Sequence, residues 1–269
     1  SAFRVPRSAA RAPRPLARRV ADGLAADPAR CAAAGWEVLE AAPPLDADPS
    51  DPAPRIERGL AREAQTREHA PELFSIHPMH ALEAEEEIVF LADAFLSHVP
   101  ESWAHVPDYR SWLDTQDLAP AYDHLHLVLQ LLQWQKRLRG EPATRWVLKT
   151  PAHLGYLDTL RARFPGLHLV HLHRDPQETI PSGASLNTVL HRMHSDDVDP
   201  GRVGRDWLER MGWTHDRAID ARLRWVEDPT APRVTDVAFR EVVADPWPQV
   251  ARVYADLGVE ITEEAESSM

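Results

Sequence analysis

The 269-residue chain predicts an α/β fold in three layers, a parallel sheet flanked by helices, with a helical insertion over residues 55–140. Three observations carry this prediction. Residues 145–149 (RWVLK) and 167–173 (LHLVHLH) are short, branched and largely apolar, as buried strands are. Each leads into a proline-marked helix start, Thr150-Pro151 and Asp175-Pro176, and strand, helix, strand, helix at this spacing is the pattern of crossover connections. The hydrophobic content of 43% supplies one sizeable core, so residues 1–269 read as a single domain.

Element by element, residues 1–19 hold six arginines, three prolines and no acid, which is neither a helix nor a strand pattern. Residues 1–23 are therefore set apart as an atypical Arg/Pro-rich head. The alanine-rich stretch 20–39 predicts a helix and a second short one around Trp36. Residues 41–54, rich in proline and aspartate, read as an irregular connection. Helices are expected over 55–70 and over 82–98, where Ile88, Leu91, Ala92, Phe95 and Leu96 form an apolar stripe. Residues 120–139 give the strongest helical signal, with proline in the first turn and basic side chains in the last. Helices 153–164 and 176–194 follow the two central strands. A last unit comprises helix 202–226, strand 233–238 and helix 246–257, stopped by Gly258. Trp103, Trp112, Trp134, Trp207, Trp213 and Trp225 fall in helical stretches and are expected to be packing residues.

Charge narrows the function classes. With 42 acidic against 30 basic side chains, the net charge of −12 repels a phosphate backbone, so nucleic acid is not an expected partner. No run of eighteen apolar residues occurs and residues 1–20 lack the apolar segment of a secretion signal, so no membrane partner is expected either. The single cysteine, Cys31, makes neither an internal disulfide nor a cysteine-based zinc site. These features fit a cytoplasmic protein.

In open parallel sheets ligands gather beyond the carboxyl ends of the strands. Two segments stand there: Lys149-Thr150-Pro151 and His173-Arg174-Asp175-Pro176. Arg174 precedes a helix whose first turn is expected to carry unpaired backbone donors, a combination suited to phosphate or sulfate, with Ser182 and Ser185 further along the same helix. The competing reading pairs Arg174 with Asp175 or Glu178 and leaves the serines on the surface. Lys149 is one of only two lysines, beside Lys136, in a chain of 28 arginines, and its point charge suits a departing phosphate oxygen. His153 is a candidate base because imidazole titrates near neutrality, and a first-turn helix residue otherwise. Glu83, Glu85, Glu86 and Glu87, taken by themselves, read as a charged first helical turn favoured by the helix dipole. The pairs His77/His80 and His191/His194 lack settled third and fourth ligands, so no metal is expected.

The run from His173 to Leu186 (HRDPQETIPSGASL) resembles the segment by which sulfotransferases hold the 3′-phosphate of 3′-phosphoadenylyl sulfate. The stretches 146–154 (WVLKTPAHL), 191–200 (HRMHSDDVDP) and 236–258 are similar to the bacterial branch of that family, and the resemblance covers residues 24–262. It implies a P-loop-like sulfotransferase fold and transfer of a sulfuryl group to the hydroxyl or amine of a small-molecule acceptor. It also implies that Arg174 and Ser182 bind the 3′-phosphate and that Lys149 stabilises the leaving phosphate. Related bacterial sequences carry paired acids in the segment holding Glu83, Glu85, Glu86 and Glu87, so the resemblance implies that His153, or an acid among Glu83–Glu86 such as Glu86, takes the acceptor proton.

The chain departs from the family pattern in one respect that bears on activity. A second anion site, a loop rich in Gly, Ser and Thr whose amides cradle the 5′-phosphosulfate, should fall around residues 13–18. That stretch (PRPLAR) has neither glycine nor hydroxyl, and two prolines remove amide donors. A frame-shifted reading of codons permitted from Ala9 to Leu16 allows a Gly/Thr-rich heptapeptide of the required type, an alternative origin for the head that the coding DNA decides. The chain also stops soon after Gly258, where family members generally continue. The alternative function is accordingly a catalytically inactive nucleotide-binding or interaction remnant of the family; a nucleotide kinase is disfavoured for want of an intact phosphate loop with its lysine.

Overall fold

The computed structural model describes residues 24, 27, 30–141, 145–261, 263 and 266. Strand β1 (Arg30–Cys31) pairs in parallel with β2 (Arg145–Trp146), Cys31 opposite Trp146. Strand β3 (His168–His173) pairs in parallel with β4 (Arg233–Ala238), from His168 opposite Arg233 to His173 opposite Ala238. Between β1 and β2 run α1 (Gly35–Leu39), α2 (Ala53–His69), α3 (Pro71–Ile76), α4 (Ile88–Asp93), α5 (Val99–Trp103), α6 (Pro107–Leu113) and α7 (Ala119–Leu138). After β2 a 3₁₀ turn (Pro151–Tyr156) leads into α8 (Leu157–Arg163), and β3 leads into α9 (Pro176–Arg192) and α10 (Pro200–Val226). After β4 come α11 (Phe239–Ala244) and α12 (Pro246–Leu257), closed by Gly258 at φ 66°.

The pleat of β3 and β4 decides the layers. Val170, Leu172 and Val237 face Val250, Val253 and Tyr254 of α12, whereas Leu169 and Val234 face Ala218, Ala221 and Trp225 of α10. A parallel pair with a helix on each face is the expected three-layer arrangement, and each fully buried aliphatic or aromatic side chain contributes roughly 1.5–3 kcal/mol. The largest cluster surrounds α7, whose Tyr122, Leu125, Leu129 and Leu132 line one helical face and are buried. Lys136, on the same helix, binds the fully buried Glu37 of α1 at 2.9 Å. One of the two lysines is thereby accounted for by packing.

Several sequence expectations are corrected. Part of the stretch predicted as helix over 20–39 is strand: Cys31 O accepts the Val147 N–H at 2.7 Å, and strand pairing overrides the helical propensity of the alanines. Helix 82–98 shrinks to Ile88–Asp93. Residues 81–85 pair instead with 33–36, through Trp36 N–H to Ala81 O and Gly35 N–H to Glu83 O, both at 2.9 Å, and Glu85 N–H to Ala33 O at 2.8 Å. Phe95, at φ 58°, turns the chain beyond the helix. The helix expected from 153 begins as the 3₁₀ turn. Trp103, Trp112 and Trp134 are about half exposed because they lie on outward helix faces, while Trp225 is buried and Trp207 packs against Gly183.

Candidate active site

The site forms where β2 ends. Along a strand every second amide points to the same neighbour. The Val147 N–H completes the ladder to β1, and the next amide in that direction, Lys149, leaves it for Glu87 Oε2 at 3.0 Å. A side-chain carboxylate replaces the neighbouring strand and β2 stops. Glu86 takes the other end of the same lysine: Lys149 Nζ donates to Glu86 Oε1, with the two side chains 33% and 17% exposed. This ion pair is within reach of solvent. The segment carrying both acids is held by its pairing with residues 33–36 and by Glu63 of α2, which accepts the Ala81 N–H at 2.8 Å and contacts His80 Nδ1 at 3.0 Å.

His153, the other expected base, lies deeper. Its ring is buried, Nε2 is 2.7 Å from Glu87 Oε1, and Nδ1 is 2.9 Å from the hydroxyl of Tyr122. Burial holds the Tyr122 phenol well above its usual range, so it remains a hydroxyl. A second carboxylate–histidine–tyrosine chain runs beside the first. Tyr156 OH meets His98 Nε2 at 2.9 Å and His98 Nδ1 meets Glu101 Oε1 at 3.1 Å, while the Tyr122 and Tyr156 rings lie 6.4 Å apart. Burial would raise the Glu101 carboxyl, but hydrogen bonds from His98 and Arg210 outweigh it and hold the pKa at about 2. Cys31 is pushed up to about 11 by burial, which keeps it a thiol and removes it as a nucleophile.

Arg174 and Ser182 are both exposed, on the turn before α9 and in its second turn. Arg174 Nε donates to Glu178 Oε2 at 3.1 Å, and its guanidinium lies 4.6 Å from the centre of the Phe239 ring. A surface pair of this kind is worth ~0–1 kcal/mol, so a doubly charged phosphate can displace it. The expectation of free amides at the start of α9 is corrected. Asp175 Oδ1 accepts the Gln177 N–H at 2.8 Å, Asp175 O accepts those of Glu178 and Thr179 at 3.0 Å, and Pro176 has none. Any anion grip there comes from side chains. Residues 1–23, which hold the Arg/Pro-rich head and the stretch 13–18 where the 5′-phosphosulfate loop is expected, lie outside the described residues.

Among the described residues, His171, His173 and Asp236 bring three ligand atoms within 4.8 Å of one another. Arg222 already supplies the positive charge: it binds Asp236 through both terminal nitrogens, at 2.5 and 2.8 Å, and donates to His171 Nδ1 at 3.0 Å. No helix among the described residues is long and apolar enough to cross a membrane.

The sulfotransferase family model matches residues 20–263. The chain belongs to the sulfotransferase family. Over 160 residues this sulfotransferase-family chain is 26% identical to the omega-hydroxy-beta-dihydromenaquinone-9 sulfotransferases Stf3 of Mycobacterium bovis and Mycobacterium tuberculosis. Those matches cover 57% of the chain but only 38% of each relative. The crystal structure of sulfotransferase STF1 from Mycobacterium tuberculosis H37Rv superposes with a TM-score of 0.79 at 28% identity, over 93% of this chain and 66% of that one. STF9 from Mycobacterium avium gives the same TM-score at 24% identity, over 94% and 64%, a likeness of fold.

Within this sulfotransferase fold, three features have no counterpart in the sequence expectations: Glu87 as the main-chain anchor of Lys149, Tyr122 against His153, and the His98–Tyr156 chain beside Tyr122. Tyr122 carried a usable signal, since a hydroxyl on the most apolar face of a helix needs a buried partner. The partner itself is 31 residues away and has no local trace.

Proposed function

We propose that the chain transfers a sulfuryl group from 3′-phosphoadenylyl sulfate to a small-molecule acceptor, without a metal and in the bacterial cytoplasm. The observation that carries this reading is the Lys149–Glu86 pair at the end of β2, a cation and a carboxylate on one accessible spot. In the in-line displacement the acceptor oxygen or nitrogen forms its bond to sulfur as the bridging oxygen departs on phosphate. Lys149 meets the charge developing on that oxygen, and Glu86 takes the acceptor proton. Arg174 and Ser182 hold the 3′-phosphate from outside the helix terminus. Glu86 is preferred to His153 as the base because both ring nitrogens of His153 are already engaged in the interior. The two curated relatives are named for a hydroxylated substrate, which favours a hydroxyl acceptor over an amine here.

Calorimetry with 3′,5′-adenosine diphosphate on the wild type and on Arg174→Ala tests the nucleotide site, and a sulfuryl-transfer assay over a panel of alcohols, phenols and amines tests the reaction. Binding lost in the variant, with turnover in the wild type, is expected. Tight binding without turnover on any acceptor would make the chain a nucleotide-binding remnant. Absence of binding would overturn the reading.

A further inference from the structure

We propose that Glu87 is a positioning residue for the transfer reaction, fixing the main chain at Lys149, and that the buried pair of His153 and Tyr122 serves to hold Glu87 in place. The proposal rests on the reading of Lys149 as the group that meets the departing phosphate. Glu87 is 2% exposed, and its oxygens have separate tasks, Oε2 on the Lys149 N–H and Oε1 on His153 Nε2. A carboxylate removed from water this completely persists only when donors match it.

One neutral tautomer of His153 completes the chain. Nε2–H donates to Glu87, Nδ1 accepts from the Tyr122 hydroxyl, and Tyr122 is fully buried. Glu87, His153 and Tyr122 are all buried and the chain reaches the surface pair through the Lys149 N–H, so its effect is exerted through Lys149. Glu86 and Glu87 are also consecutive. Fixing Glu87 therefore sets both the peptide that launches the Lys149 side chain and the peptide that launches Glu86. Cation and base are referred to one another through a single buried side chain, and reacting groups displaced by about 1 Å lose on the order of 10²-fold in rate.

The test uses the full chain. Glu87→Ala is expected to lower kcat about 10²-fold while the affinity for 3′,5′-adenosine diphosphate and the donor KM stay within about twofold. Glu87→Gln should restore most of the loss, because its amide oxygen accepts the Lys149 N–H and its NH₂ pairs with the other His153 tautomer. Hydrogen exchange at the Lys149 amide gives a readout independent of turnover: protected in the wild type and in Glu87→Gln, unprotected in Glu87→Ala. Lys149→Ala is measured alongside. Wild-type turnover in that variant would overturn the reading of the lysine itself. Loss of turnover there, with kcat and Lys149 protection unchanged in Glu87→Ala, would overturn the positioning role alone. Should Glu87→Ala fail to fold, Tyr122→Phe decides, since it removes one hydroxyl and leaves the ring: a fall in kcat with looser Lys149 exchange supports the proposal, and no change in either overturns it.

Discussion

Gly35 lies so close to His80 that a β-carbon on it would sit 2.5 Å from the His80 carbonyl oxygen. The contact joins the start of α1 to the segment that delivers Glu86 and Glu87. A backbone oxygen at that distance cannot yield as a flexible side chain would. Gly35→Ala is expected to destabilise the chain by about 1–3 kcal/mol, read by urea unfolding, and to reduce turnover by displacing the acids. Wild-type stability in that variant would contradict the close approach.

Lys149→Ala and Glu86→Gln should each lower sulfuryl transfer by about 10²–10³-fold, the usual cost of deleting one group that meets transition-state charge or moves the proton. Because the two act on one event, the double variant should fall well short of the product of the single effects. Fully multiplicative losses in kcat would show that they act independently.

Asp27 anchors the last helix to the first strand. Its Oδ2 receives Arg30 Nε at 3.1 Å and the Tyr254 hydroxyl at 2.8 Å, with both charged side chains buried. Removing one partner of a buried pair leaves the other charged and unmatched, so Asp27→Ala should cost roughly 3–5 kcal/mol in chemical denaturation. Asp27→Asn, which can still accept from Tyr254, should cost less.

The His171 cluster predicts a pH dependence of stability. Burial first, then the charges of His173 and Arg222, push the His171 pKa down to about 4 from 6.5, partly offset by Asp236. Above pH 6.5 the ring is neutral folded or unfolded and the full stability is present. As the pH falls from 6.5 to 4 the unfolded chain binds a proton that the folded chain refuses, and stability drops by up to about 1.4 kcal/mol per pH unit. Urea unfolding across this range should show the slope in the wild type and lose most of it in His171→Gln; parallel curves would remove His171 as its source.

Legibility from sequence follows the range of the forces involved. Strand 233–238 and helix 246–257 are read at their observed bounds because apolar runs, Asp-Pro starts and a terminal glycine are local signals. β1 and the 81–85 segment are misread because what holds them is pairing with distant backbone, which outweighs alanine-rich or apolar periodicity. In the candidate site Lys149 stands out by residue type and place, whereas the acids at 83, 85, 86 and 87 are told apart only by the fold, which sets Glu86 on the Lys149 ammonium and Glu87 on its amide. The Glu87–His153 contact spans 66 residues, so it enters only with the fold.

The carboxylate that ends β2 has a consequence for the chain in company. An unpaired row of strand amides is a template on which a foreign strand can add. With the Lys149 N–H committed to the buried Glu87, this last rung of β2 offers such an intruder no donor.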